Sequence, residues 1–234
     1  MTAELPIRDA ATLILSRTGP EGPEVLMGQR GAGAAFMPSK YVFPGGAVDA
    51  GDAGVPLARA LPGPCAARLA GATVAPATLA AAAIREVFEE TGLALGRPGA
   101  WPGTGPGTGP DTGPGAVPEG WQGFAARGLV PDAGALRLVF RAITPPGRAR
   151  RFDARFFLAD ASAIAGDAED FSGAEDELSH LHWVSLRAVR LLDLPFITEV
   201  VLSEVALILA GGEQPGVPFF DNSGPRPTFR RLAA

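Results

Sequence analysis

The chain has one cysteine and two histidines among its 234 residues. A lone Cys65 cannot close an intramolecular disulfide, so nothing calls for an oxidising compartment. Its setting, the Pro/Gly-rich "LPGPCAARLA", is a poor one for a catalytic thiolate. His180 and His182 stand two apart in a strand-like segment, as metal ligands can. With no third His or Cys nearby they read as ordinary strand polarity and not as a zinc site. A basic excess is missing too: the formal net charge is -5 and the pI about 5.1, which leaves no broad cationic field for nucleic acid. An anionic substrate must therefore be held by local groups. Long apolar runs are absent, and the longest candidate, residues 200–210, is interrupted by Glu204. That is short of the roughly 20 residues that span a bilayer. It reads as a core helix, and no membrane partner is expected. The amino terminus has an acid and no basic region ahead of its short apolar run, unlike a secretory signal, so the expected location is cytoplasmic.

What is present is a globular balance of 47% hydrophobic and 19% charged residues, enough to exclude wholesale disorder. "AATLILS" and "EVLMGQR" flank the Gly/Pro punctuation "RTGPEGP" and predict a hairpin of buried strands. "KYVFPGGAV" predicts a short strand running into a glycine turn. Residues 53–77 shift to small residues, with short helices at most. "TLAAAAIREVFEET", 78–91, predicts the clearest helix, with Gly92 placed to end it. Residues 96–120 are dominated by Gly and Pro and predict a mobile surface loop. "ALRLVFRAIT", "RRFDARFFLAD" and "LSHLHWVSL" follow as strands, with Trp183 in the core. A last helix over 195–210 carries Ile197, Val201, Val205 and Ile208 on one stripe. The order predicts one mixed α/β domain over residues 1–234.

The chemistry concentrates in "REVFEE". On a helix Glu86, Glu89 and Glu90 are spaced i, i+3 and i+4, so their carboxylates leave one face and repel one another. A hard divalent cation such as Mg²⁺ removes that conflict, since it prefers oxygen ligands and commonly combines carboxylates with substrate phosphates. Arg85, one turn before Glu89, can fix a carboxylate bidentately. Upstream, the "PGG" turn lets the backbone approach a ligand or metal closely and can bring Asp52 to the helix. A solvated acidic face is the plainer reading of "REVFEE" alone. The full pattern R-E-aliphatic-x-E-E-x-G-aliphatic, however, arises by chance only about once in 10⁷ windows at ordinary residue usage.

These residues resemble the box of the Nudix hydrolases, G-x5-E-x7-R-E-U-x-E-E-x-G-U, with U aliphatic. Gly46 and Asp52 match its first half, with Asp in place of Glu; Arg85, Glu86, Val87, Glu89, Glu90, Gly92 and Leu93 fill the second. The spacer is about 25 residues longer than usual. In this the chain resembles the interrupted-box branch that includes coenzyme A and acyl-coenzyme A diphosphatases, as do "AAFMPSKYVFPGGAVD" and "RRFDARFFLA". The resemblance implies an α/β/α sandwich with a mixed sheet, an insertion within the box and a C-terminal helix. It implies Mg²⁺ or Mn²⁺ as cofactor, a nucleotide-type small-molecule substrate and, at family level, a homodimer. Glu89 and Glu90 would be the main metal ligands, with Glu86 a further ligand and the Gly46 carbonyl completing the site. Glu86 could instead be the base, and Arg85 would orient the carboxylates.

Outside the box, the late acidic loop contributes Glu175 and Glu177 as candidates for the metal site or base. Arg151, in the cluster with Arg148 and Arg150, is a candidate for a substrate phosphate, against the alternative of a charged hairpin turn. Arg30 occupies an arginine position of a coenzyme A signature, whereas Ala35 and Ser39 depart from it. Phe36 and Met37 could line a pocket for a pantetheine or acyl arm, or fill core. The implied reaction is hydrolysis of coenzyme A or acyl-coenzyme A to adenosine 3′,5′-bisphosphate and a 4′-phosphopantetheine product. The alternatives are hydrolysis of ADP-ribose, dinucleotides or another nucleoside diphosphate, and a non-catalytic nucleotide sensor, against which the intact glutamates argue. The ends of the insertion must meet for Asp52 to reach Arg85, which makes residues 53–77 a candidate wall of the substrate pocket.

Overall fold

The computed structural model describes residues 5–70, 72–102, 117–224 and 226–233. Strands β1 (Ile7–Gly19) and β2 (Gly22–Arg30) form the expected hairpin, followed by the short strands β3 (Tyr41–Val42) and β4 (Gly45–Ala47). A 3-10 turn at Ala50–Asp52 leads into the insertion, which carries helix α1 (Gly63–Arg68). Helix α2 spans Pro76–Thr91. It starts two residues before the expected position because a proline at the first helical position needs no partner for a missing N–H. It ends on Gly92, whose φ of 77° is left-handed and whose N–H donates to the Phe88 carbonyl at 2.8 Å. Then come β5 (Gly96–Pro98), α3 (Gln122–Ala126), β6 (Leu129–Pro131), β7 (Arg137–Ile143), β8 (Arg151–Asp160) and β9 (Leu178–Ser185). Helix α4 (Phe196–Leu209) precedes β10 (Val217–Asp221) and β11 (Thr228–Leu232).

One mixed sheet has the order β11-β10-β7-β8-β1-β2-β3, with β4 also paired to β1 and β9 to β2. The long β1 lies parallel to β8 from Ile7↔Arg151 to Ser16↔Asp160. Along its other edge it pairs β2 only through residues 16–19 and takes β4 beside residues 10–12. That division lets the glycine turn enter the middle of the sheet.

Both faces are covered, as an α/β/α sandwich requires. On one, Ala11, Leu13, Leu15, Leu26 and Phe157 pack against Leu79, the run Ala80–Ala83, Ile84 and Val87 of α2, together with Val55, Leu61, Cys65 and Leu69 of the insertion. The alanines carry little bulk, so α2 lies close on the sheet. On the other, Ile14, Phe156 and Leu158 pack against Val201 and Val205 of α4, the stripe read from the sequence. Among the described residues no helix is long and apolar enough to cross a membrane.

Two expectations need correction. Residues 96–98 of the expected loop form a strand, paired with Leu129–Pro131; residues 103–116 lie outside the described residues. The chain also does not finish with its helix, because β10 and β11 form a hairpin that adds to the sheet edge.

Candidate active site

The site is built where β4 meets α2. A side chain on Gly45 would place its Cβ 2.7 Å from the Ala11 carbonyl oxygen and the Thr12 Cα, so only glycine admits this approach. The Gly45 N–H donates to Glu90 Oε2 at 2.8 Å. A Cβ on Gly46 would fall 2.5 Å from the Glu86 carboxylate oxygens. Glu86 and Glu90, one helical turn apart, therefore both set their carboxylates against the glycine turn.

Arg85 closes the box from the other side. Its Nε and Nη2 donate to the two oxygens of Asp52 at 2.8 and 3.1 Å, and Nη2 also donates to the Ala47 carbonyl at 3.0 Å. Nη1 donates to Glu89 Oε2 at 2.8 Å and lies 3.0 Å from Glu86 Oε1. Asp52 is almost wholly buried and also accepts from the Asp49 N–H, so the shorter side chain standing where the box has Glu still reaches the arginine. The two halves of the box are joined across the insertion by this bidentate pair. Glu89 and Glu86 both meet the Arg85 Nη1, and Glu86 and Glu90 also lie against the glycines.

Burial pushes the Glu86 carboxyl up to about 7; Arg85 opposes the rise, and Glu89 and Glu177 add to it. Glu90 is raised well above the ordinary carboxylate value, first by burial and then by Glu86. Glu89 is raised by burial against the pull of Arg85. Carboxylates whose charged forms are disfavoured by burial and by neighbouring acids gain from a bound cation. A divalent cation fits this all-oxygen donor set. Among the described residues no three His, Cys, Asp or Glu side chains already surround one point. Two carboxylates suffice for Mg²⁺, which commonly completes its shell with water and substrate phosphate.

The late acidic loop reaches the same end of α2. The Glu175 N–H donates to the Glu89 carbonyl at 2.8 Å, and Glu177 is held by Arg30 Nη2 at 2.9 Å. Glu177 and Arg30 both act electrostatically on Glu90, which brings these two expected residues to the site. Phe36 and Met37 are half-buried in the β2–β3 connection, with Phe36 edge-on to Phe152 at 5.5 Å.

Arg151 requires correction. It is buried and donates to the carbonyls of Thr144 and Asn222 at 3.1 and 2.8 Å, tying β7 and the C-terminal hairpin to β8. Its position at the chain's basic cluster suggested a free cation, yet its guanidinium serves main-chain acceptors. Arg148 and Arg150 are exposed in the turn. His180 bulges out of β9 with φ at 52°, and His182 Nδ1 lies 2.6 Å from the His180 carbonyl. The insertion's apolar residues are part of the core, and Arg59 pairs with Asp132 while Thr73 donates to Asp9.

Two contributors escaped sequence reading. Gly120, with φ at 82°, lies so close that a Cβ would sit 2.8 Å from both Arg85 Cδ and Glu89 Oε1. Arg127 donates to the Gly92 carbonyl at 2.9 Å and stacks over Phe88, fixing the C-terminal end of α2. Neither carries a local motif; a glycine among many glycines gives no signal.

A Nudix hydrolase from Alicyclobacillus acidocaldarius is 31% identical, with 87% of this chain and 93% of that one aligned at a TM-score of 0.62. The Nudix domain of Shewanella oneidensis NrtR, crystallised with ADP ribose, is 13% identical over 89% of this chain and 90% of its own, at 0.48. A C. elegans Ap4A hydrolase in a binary complex is 14% identical over 88% and 99%, at 0.48. No family model and no curated protein matches the chain.

Proposed function

The chain belongs to the Nudix hydrolases, and from that premise we propose that it cleaves the diphosphate of coenzyme A or an acyl-coenzyme A in a divalent-metal-dependent reaction. The observation that carries the chemistry is the pair Glu86 and Glu90, buried together on a glycine turn with their carboxyls raised by burial and neighbouring acids. Glu86, Glu89 and Glu90 with the Gly46 main chain would hold Mg²⁺ or Mn²⁺, Arg85 keeping Glu86 and Glu89 oriented. A bound cation supplies Lewis-acid activation of water and neutralises charge developing on the phosphoryl oxygens. Arg85 fixes the rotamers of the carboxylates through Asp52 and the Ala47 carbonyl, so little reorganisation is needed at the moment of reaction. Glu177, exposed on the late loop, and Glu86, where it is not taken up by the cation, are the candidates to take the proton of the attacking water.

The coenzyme A preference is supported by the interrupted box and by Arg30. That arginine occupies the signature position and stands at the edge of the site with a buried Nε free of hydrogen bonds. Phe36 and Met37, on the connection that Arg30 closes by accepting from the Ser39 N–H and donating to the Lys40 carbonyl, are the apolar surface offered to a pantetheine or acyl arm. The test is incubation of the purified protein with Mg²⁺ and a panel of coenzyme A esters, ADP-ribose and dinucleotides, with products identified by mass spectrometry. Adenosine 3′,5′-bisphosphate from the coenzyme A esters is the expected product. Cleavage confined to the other panel members would overturn the coenzyme A preference, and no cleavage of any would overturn the catalytic reading.

A further inference from the structure

Arg85, Phe88, Glu89 and the cap residue Gly92 lie on one stripe of α2, spaced i, i+3, i+4 and i+7. The segment 117–127 belongs neither to the box nor to the insertion that divides it, yet it meets this stripe in order. Gly120 sits against Arg85 and Glu89, a Cβ on Gly123 would fall 2.6 Å from Phe88 Cε1, and Phe124 is edge-on to Phe88 at 4.8 Å. Arg127 ends the run, stacked over Phe88 and donating to the Gly92 carbonyl. The segment also reaches the first half of the box. A Cβ on Gly51 would stand 3.2 Å from the Glu119 carbonyl oxygen and 3.5 Å from Pro118 Cβ. Residues 118–120 therefore lie across the junction at which Asp52 grips Arg85.

This segment is anchored and the groups beneath it have little room. Trp121 is fully buried, packs on Trp101 and Phe124 at 5.8 and 5.4 Å, and donates its main-chain N–H to the Pro118 carbonyl at 3.1 Å. Glu89 is confined on two sides: Oε2 accepts from Arg85 Nη1 at 2.8 Å, and a Cβ on Gly120 would stand 2.8 Å from Oε1. The same Cβ would stand 2.8 Å from Arg85 Cδ. The end of Glu89 can swing aside, but Arg85 cannot follow freely. Moving its Cδ would draw the guanidinium off Asp52, Glu89 and the Ala47 carbonyl at once.

We propose that Gly120 is a positioning residue for Glu89: its bare Cα sets the space in which the Arg85–Glu89 pair keeps its orientation at the metal site. Residues 117–121 are then a third piece of the box, supplied from a part of the chain that the motif does not include. The inference rests on the reading of Glu89 as a metal ligand.

The test is calorimetric titration of the metal-stripped full chain with Mn²⁺. Gly120→Ala must displace Arg85 or Glu89, and should weaken binding at least about tenfold, as loss of a group that orients a metal ligand does. Alanine at a positive φ also strains the backbone, and Gly211→Ala controls for that. Gly211 has a φ of 80° against 82° for Gly120, has nothing within 4 Å of a Cβ, and follows α4 on the opposite face of the sheet. Its variant should carry a similar stability cost and bind Mn²⁺ as the wild type does. Pro118→Gly adds no atom and loosens the segment; it should weaken binding about two- to fivefold, the scale of the ordering a compatible proline supplies. Circular dichroism checks that each variant is folded, and Pro118→Gly decides if Gly120→Ala is not. Wild-type binding that Gly120→Ala or Pro118→Gly leaves unchanged, or that Gly211→Ala weakens equally, overturns this role of Gly120 and leaves the metal reading standing. Absence of Mn²⁺ binding by the wild type overturns both.

Discussion

If the carboxylate pair is short of a cation, the metal-free protein should lose stability as pH rises, and Glu86→Gln should remove much of that loss. The unfolded chain releases the Glu86 proton near its ordinary value of 4.5, whereas the native protein keeps it until about 7. Between these values the unfolded state binds fewer protons, so stability falls with increasing pH. At about 1.4 kcal/mol per pH unit of displacement, the full effect is roughly 3 kcal/mol, of which roughly 2 kcal/mol develops between pH 5 and pH 8. Glu90 is raised in the same direction and titrates with Glu86 as a pair, which steepens the fall. The assay is urea denaturation in EDTA at pH 5 and pH 8, for wild type and Glu86→Gln. The difference in unfolding free energy between the two proteins should shift in favour of the variant by roughly 2 kcal/mol from the lower pH to the higher. Mg²⁺ added at pH 8 should stabilise the wild type far more than the variant. A difference that stays constant across the two pH values would refute the account of Glu86, whatever the enzyme's activity.

Three further outcomes follow from the same geometry. Arg85→Lys loses the bidentate grip on Asp52 and the Ala47 contact and leaves a buried carboxylate poorly paired, so a cost of about 3 kcal/mol is expected in urea denaturation. Gly46→Ala pushes the end of a flexible Glu86 side chain aside without touching backbone; kcat should fall by more than tenfold (about 1.4 kcal/mol of lost transition-state stabilisation) while the melting temperature stays close to wild type. Glu89→Gln should abolish turnover with the fold intact, as judged by circular dichroism, since an amide is a poor metal ligand and a weaker acceptor for Arg85.

The box was legible because its chemistry demands particular residue types at fixed helical spacing. Arg85 reaches Asp52, Glu86 and Glu89, and the Asp52 partnership spans the insertion because closing a longer loop adds cost only slowly. The central strands were legible from their apolar runs. What failed was whatever depends on contacts from distant parts of the chain. Arg151 is exposed by its neighbours in sequence and buried by Asn222 in space. The insertion's alanines and single cysteine have no periodicity to announce a core role, yet Cys65 is buried with its Sγ accepting from the Leu138 N–H. The β10–β11 hairpin is short, and its inner strand is recognisable only against β7.

The parallel pairing of β1 with β8 also governs how the molecule comes into being. Ile7 finds its neighbour only at Arg151, so the sheet's middle pair cannot close until most of the polypeptide exists. Synthesis from the amino terminus leaves the β8 edge of β1, with its apolar Leu13, Ile14 and Leu15, unpaired for much of translation. Refolding should accordingly be slow for the chain's size, and fragments ending before residue 150 should aggregate, since they retain the glutamate helix but lack the strand that shelters the one beneath it.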